Sequence, residues 1–312
     1  MTSTAGVAPA NPHDIAPLPQ PQRGRRLTGY WLILPAAIWL GLFFVVPFYS
    51  LVSASLYDPD GSVLTGYDMT WHVANFAEAI GQYKVQIGRS LVYAGTATLL
   101  CLVLGYVLAY AIAFKAGRWK NLMLVLVIAP FFTSFLLRTL SWKLILADDG
   151  WVVGVAQALH LTNVLNLIGL TSTDDRLLAT PFAVIAGLTY NFLPFMVLPL
   201  YASLEKVDIR LIEASSDLYA SPIRGFFKVT FPLSLPGVVA GTLLTFIPAA
   251  GDYINAELLG NPNTRMVGNV IQGLFNTQLD YATAGALSVT LMVIIIAAVL
   301  VYVRTAGTEE LV

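Results

Sequence analysis

Two carboxylates sit in or beside an otherwise apolar stretch: Asp252, just after Pro248 and Gly251, and Glu257, one and a half turns further along a helix. Acidic groups near the bilayer centre cost about 2.5 kcal/mol or more on insertion scales, so they usually face a cavity or a partner. Tyr190 and Asn191, beside Pro194, are candidates for the same cavity. Each has a plainer reading. Asp252 could satisfy backbone loosened by Gly251, and Tyr190 and Asn191 could be interhelical hydrogen-bonding groups worth about 1 kcal/mol. Covalent chemistry has no comparable set of residues. There is no H-E-x-x-H, nucleophile elbow or phosphate-binding G-x-x-x-x-G-K-[ST], the six lysines being followed by Val, Ala, Asn, Leu, Val and Val. Cys101 is the single cysteine, and His13, His72 and His160 are far apart, leaving redox and zinc chemistry unsupported. His72 and His160 read as surface or interfacial residues.

The elements that must carry these side chains are membrane helices. Of 312 residues, 57% are hydrophobic and 11% charged, and the net charge is −1, which removes both an ordinary soluble domain and a nucleic-acid binder. Six windows, 27–57, 90–114, 121–137, 177–204, 229–251 and 281–303, contain no Asp, Glu, Lys or Arg. A hydrocarbon core of about 30 Å needs about 20 apolar residues, so six spans are expected, the third being the shortest. A seventh charge-free window, 150–173, holds Gln157, His160, Thr162, Asn163 and Asn166 and reads as a re-entrant or interfacial helix. Counting it as a span would put the basic segments 115–120 and 204–236 on opposite sides. With both termini inside, Lys and Arg divide 11 inside to 6 outside, which favours an N-in, C-in arrangement.

Residues 1–28, with five prolines and Arg23-Gly24-Arg25-Arg26, are expected to be a disordered cytoplasmic tail, followed by a transmembrane domain 29–304 and a short cytoplasmic tail 305–312. The apolar stretch after the basic run exceeds the 7–15 residues typical of a signal peptide, which disfavours cleavage. Pro35, Pro47, Pro130, Pro181, Pro194, Pro199 and Pro248 fall inside the proposed spans. Each removes a helix hydrogen bond, tolerable where neighbouring helices or a polar cavity satisfy the freed carbonyls. Gly237, Gly241, Thr245 and Ala249 form a small-residue stripe, for packing within the chain or against a second subunit.

Between the fourth and fifth expected spans lies Glu205–Pro236. Leu211, Ile212, Leu218 and Tyr219 recur at helical spacing, and Ser221 can cap a second helix with Pro222 at its first position. The pattern predicts a helix-turn-helix at the membrane surface. Glu213-Ala214-Ser215, Ala220-Ser221, Phe231-Pro232 and Pro236-Gly237 resemble the EAA loop of permease subunits of binding-protein-dependent ABC importers. Ser215 replaces the usual second alanine, Tyr219 a usual glycine, and Phe231 a common leucine or isoleucine. Three further stretches, Arg138–Trp142, Tyr190–Glu205 and Gly251–Gly260, are similar to spermidine/putrescine permeases.

The resemblance implies an all-helical, type I importer permease at the bacterial inner membrane, non-catalytic itself, moving a polyamine such as spermidine or putrescine. It implies a partner ATPase that uses ATP and Mg, present in two copies, a second permease subunit, and an extracytoplasmic binding protein, with no cofactor or metal on this chain. The ATPase-coupling residues would be Glu213, Ala214, Ser215, Asp217, Ala220, Ser221 and Arg224. Asp252 and Glu257 would supply charge for an amine chain, lined by Tyr253, Trp142, Tyr190 and Asn191, with cation–π contacts from Tyr253 and Trp142. Importers of ferric iron, thiamine, sulfate or phosphonate are the alternatives, and a self-contained channel or carrier is a more distant one. Finally, if the third and fifth spans are straight, Arg138, Asp252 and Glu257 lie at heights of about 26, 22 and 30 Å. Arg138 is therefore expected to pair with Asp252 or Glu257, unless it reaches the outer headgroups.

Overall fold

The structure is a computed structural model that describes residues 25–167, 169–171 and 176–306. Most of the expected N-terminal tail and positions 307–312 of the C-terminal one lie outside the described residues. The described chain is helical, with two isolated antiparallel bridges, Tyr57 to Met69 and Ser62 to Gly66. Its helices are α1 (Arg25–Leu40), α2 (Val46–Ala54), α3 (Ala74–Tyr110), α4 (Lys120–Ile128), α5 (Phe135–Ile145), α6 (Trp151–Ala158), α7 (Leu161–Leu167), α8 (Pro181–Leu204), α9 (Ile209–Asp217), α10 (Pro222–Gly225), α11 (Phe231–Leu233), α12 (Leu235–Ala250), α13 (Ile254–Leu259), α14 (Val267–Gly273) and α15 (Tyr281–Ala306).

Four helices are long and apolar enough to cross a membrane: Ile33–Ala54, Ala74–Lys115, Pro181–Leu204 and Tyr281–Thr305. Two further pairs qualify only if each bent pair is one span, Gly117–Phe132 with Phe135–Ile145 and Pro222–Leu233 with Leu235–Ala250. The charge-free window 150–173 contains α6 and α7, of 8 and 7 residues, each far too short to cross. The chain divides into two compact units, 1–50 and 51–312. In the first, the side chains of Ile33, Ile38, Phe44 and Tyr49 are exposed, an apolar surface suited to lipid or another helix.

The core of the second unit is built where α3, α8 and α12 meet. Ala94, Ala97 and Cys101 of α3 and Leu188, Met196, Val197 and Leu200 of α8 are buried together with Val238 and Ala249 of α12. Glycine permits the close approach. A Cβ at Gly105 would stand 3.1 Å from Met196 Cγ, and one at Gly241 would stand 2.7 Å from Met196 Sδ. Met196 thus fills a notch cut by a glycine on each side. At Gly237 a Cβ would meet Ser203 Cβ at 2.6 Å and the Pro199 carbonyl at 2.7 Å. The small-residue stripe is therefore spent on packing α12 against α8 within this chain, and the intersubunit alternative for it falls away.

The prolines act in different ways. Pro181 opens α8 behind Thr180, whose hydroxyl accepts from the Ala183 N–H, so it interrupts nothing. Pro194 and Pro199 lie inside α8, which runs on for 24 residues. Pro130 precedes a true break: Thr133 is extended, and α5 departs at 96° to the preceding limb.

Candidate functional site

Two helix breaks and the middle of α8 bring polar side chains together in the apolar bundle. Asp252 follows the end of α12, Thr139 lies one turn into α5, and Asn191 lies in the middle of α8. The fourth member, Asn255, is the second residue of α13. Asp252 Oδ1 accepts from the Asn255 N–H at 2.8 Å and from Asn255 Nδ2 at 3.2 Å. Asn255 Oδ1 accepts from Asn191 Nδ2 at 3.0 Å, and the same amide nitrogen donates to Thr139 Oγ1 at 3.1 Å. The direction of this chain follows from its first member. A carboxylate only accepts, so Asn255 turns its NH2 toward Asp252 and its oxygen toward Asn191. Asn191 must then present its own NH2, which leaves its Oδ1 buried without a donor. Asp252, Thr139, Asn191 and Asn255 are all buried.

The six residues expected to share one cavity separate into three groups. Asp252 and Asn191 are joined through Asn255. Glu257 and Tyr253 are exposed, and Asn269 bridges them, donating to Glu257 Oε2 at 3.2 Å and to the Tyr253 carbonyl at 2.8 Å. Trp142 and Tyr190 meet at 5.4 Å between ring centroids and line a groove of about 550 Å³ with Phe182, Leu165 and Leu193. The two threonine hydroxyls in its wall, Thr96 and Thr189, donate to carbonyls of their own helices, and the groove surface is almost entirely apolar. Tyr190 and Asn191 are adjacent in a helix and diverge by about 100°. Sequence reasoning missed Thr139, Asn255 and Asn269. Asn255 carried a signal, since it follows Asp252 at the three-residue spacing of a side chain that closes a helix start.

Arg138 does not form the expected ion pair. Among the described residues the pairs within 4.0 Å are Lys120–Glu205 and Arg176–Asp148. The Arg138 guanidinium lies over the rings of Phe131, at 5.6 Å, and Phe135, at 5.5 Å, and its Nε and Nη1 are buried without an acceptor. The height comparison assumed a straight helix, but the helical limb that ends at Phe132 and α5 meet at 96° before position 138, so counting residues no longer measures depth.

The second group of candidates lies in the Glu205–Pro236 loop. Asp208 caps α9 by accepting from the Arg210 N–H at 3.0 Å. The helix ends with the Ala220 N–H on the Ser215 carbonyl and the Tyr219 N–H on the Ser216 carbonyl, the paired bonds of a Schellman turn. Tyr219 occupies its left-handed position, φ 58°, where glycine is usual. Ser221 then caps α10 as expected, accepting from the Arg224 N–H at 3.4 Å, and Pro222 is its first residue. Glu213, Ala214, Asp217, Ser221 and Arg224 are exposed, while Ser215 and Ala220 are half-buried. A Cβ on Gly225 would stand 2.9 Å from Ser215 Oγ, so α9 and α10 touch at this pair.

Beyond Gly225 the loop is tied to the bundle by rings. Phe226 packs on Tyr106 and Tyr110 of α3 at 5.3 and 6.4 Å, and the Tyr106 hydroxyl is 2.7 Å from Ser234 Oγ. At the other end of the loop Lys120 Nζ bonds Glu205 Oε1 at 2.7 Å, over the face of Tyr201. The Lys120 hydrogen bond, helped by one from Tyr201, holds the Glu205 carboxyl below its ordinary range.

A bundle of membrane-length helices with a buried polar cluster and an exposed, firmly tethered helical loop has the architecture of a membrane transport protein. Residues 101–306 match the family described as binding-protein-dependent transport system inner membrane component, and the chain belongs to that family. It is 36% identical over 267 residues to the spermidine/putrescine transport system permease protein PotB of Haemophilus influenzae, covering 85% of this chain and 90% of the relative. With the protein of the same name from Escherichia coli K12 it shares 35% identity over 274 residues, 88% of this chain and 96% of the relative. The inner membrane ABC transporter permease protein YdcU of E. coli K12 is 28% identical over 286 residues, 90% of each chain. Among solved structures, a chain of a bacterial ABC transporter for import of the acidic polysaccharide alginate superimposes with a TM-score of 0.65 at 17% identity, covering 92% of this chain and 97% of that one. That last likeness is one of fold. The chain is a permease of an ABC importer, a transport component rather than an enzyme.

Proposed function

We propose that this chain is one of two permease subunits of an ATP-driven polyamine importer, with six spans, both termini in the cytoplasm, and α9 as the helix that engages a separate ATPase. The carrying observation is the 36% identity, over 85% of the chain, to a permease named for spermidine and putrescine. A buried carboxylate at the break after α12 fits the same reading, since a polyamine is recognised through opposite charge. Each bent pair counts as one span. The exposed apolar surface of the first unit suits a second permease. A soluble binding protein, two ATPase copies and their ATP and Mg complete the assembly.

In mechanism, the chain performs no covalent step. ATPase closure on α9 would shift α10 through the Ser215–Gly225 contact, and the Phe226 rings would carry the displacement to α3 and α12. An inward-facing cavity would turn outward to receive substrate, the ATP-dependent state being favoured by its own contacts. Asp252, Tyr253 and Glu257 are assigned to the path. Trp142 and Tyr190 line an apolar groove and are not.

The test is uptake of labelled spermidine into liposomes that hold the purified complex, with putrescine, thiamine and sulfate as competitors. ATP-dependent uptake blocked by putrescine alone is the expected result. Uptake blocked by thiamine or sulfate instead, or independent of ATP, would replace the reading with one of its alternatives.

A further inference from the structure

The segment 57–69, between α2 and α3, is an ordered hairpin. Its arms pair at two bridges, Tyr57 with Met69 and Ser62 with Gly66. The Asp58 N–H donates to the Asp68 carbonyl at 3.0 Å, and Ser62 and Gly66 exchange backbone bonds of 3.2 and 2.8 Å. Ser62 Oγ and Thr65 Oγ1, 2.8 Å apart, close the tip. The base is seated as firmly. Asn75 Nδ2 donates to the carbonyls of Ser55 and Tyr57 at 3.1 and 2.9 Å, and the Tyr67 hydroxyl donates to the Leu279 carbonyl at 2.7 Å. The Tyr67 and Tyr281 rings lie 4.8 Å apart. Since the charge-free window 281–303 begins two residues after Leu279, this seat marks the outer edge of the last span in the proposed orientation.

A hairpin held this tightly could turn its apolar side chains inward. Instead Leu64 is 97% exposed at the tip, and Val63 beside it is exposed as well. Such a tip can meet the lipid headgroup layer or a soluble protein, and charge separates the two. The hairpin carries Asp58, Asp60 and Asp68, and no Lys or Arg occurs from Leu27 to Tyr83. Asp60 and Asp68 are exposed, and neither is in an ion pair among the described residues. Segments that lie in a bilayer surface hold to its phosphates through Lys and Arg, whereas three carboxylates are repelled by them. A protein partner has no such objection. Because the tip is ordered before any contact is made, little conformational freedom remains to be lost on binding.

We infer that the 57–69 hairpin is a docking point for the soluble extracytoplasmic binding protein, with Leu64 entering an apolar recess that Lys or Arg side chains surround on that partner. The inference rests on the proposed importer assembly, which includes such a protein. The apolar tip would set the lifetime of the contact, and the carboxylates its encounter rate and salt dependence.

The test uses the transporter in lipid nanodiscs and its purified cognate binding protein loaded with spermidine. Benzoylphenylalanine at position 64 should, on illumination, link this chain to the binding protein at a surface bearing Lys or Arg. Leu64→Gln, which changes a side chain that packs on nothing within the chain, should weaken binding roughly tenfold. Asp60→Asn combined with Asp68→Asn should weaken binding at low salt and flatten its salt dependence. Asp58 is left in place, because its Oδ1 accepts from the Asp60 N–H and shapes the turn. Adducts with phospholipid alone would make the hairpin a membrane contact and overturn the docking point, as would wild-type binding in both variants. A wild-type transporter that binds no such protein would overturn the assembly on which the inference rests.

Discussion

Two residues carry conformational information beyond their side-chain chemistry. Tyr219 holds φ 58° at the end of α9 with its side chain 97% exposed, so it pays for a left-handed backbone without gaining packing. Tyr219→Gly should stabilise the turn by about 1 kcal/mol, the ordinary cost of that conformation for an L-residue. Slower amide exchange across Ile209–Gly225 would report it, and faster exchange would show that the tyrosine supports the turn through contacts. Asn191 is the second. Asn191→Leu removes the donor to Asn255 Oδ1 and Thr139 Oγ1, leaving a buried acceptor unmade at a cost of about 1–3 kcal/mol. A lowered midpoint of thermal unfolding in detergent is expected, and an unchanged one would mean the polar chain contributes nothing to the fold.

Among elements, the α9–α10 pair is the place where a surface event could reach the bundle. Its two helices touch at Ser215 and Gly225, and the segments flanking them are held to the bundle at two points, Phe226 against Tyr106 and Tyr110, and Glu205 against Lys120. The exposed face that remains includes Glu213. Glu213→Arg should therefore release the ATPase or uncouple hydrolysis from uptake while the bundle inserts normally. Wild-type uptake with the ATPase retained would remove α9 from the coupling role. The helical pattern and the start of α10 were readable, because Ser221 and Pro222 are local signals acting within the next few residues. The left-handed Tyr219 was readable only as a conflict, a bulky residue standing where the turn wants glycine.

For the whole molecule, residues 1–22, rich in proline and poor in large apolar side chains, are expected to act as a tail ahead of the basic run Arg23-Gly24-Arg25-Arg26. Their deletion, keeping Arg23, Arg25 and Arg26, should leave uptake in membrane vesicles within about twofold of wild type. A large loss with normal insertion would give the segment a docking or regulatory role. The amino-acid sequence alone determined that the chain is a helical membrane protein, because apolar length and the absence of charge are properties of a segment taken by itself. It also determined the importer-permease class, through motifs confined to short stretches. Which polar residues meet was decided by tertiary structure. Asn191 and Tyr190 are neighbours in sequence, yet one joins Asp252 through Asn255 and the other faces an apolar groove with Trp142. Arg138 shows the reason most directly. Counting 1.5 Å per residue gives depth only along a straight axis, and the 96° turn after Phe132 depends on how α4, α5 and α8 pack, which no local pattern specifies.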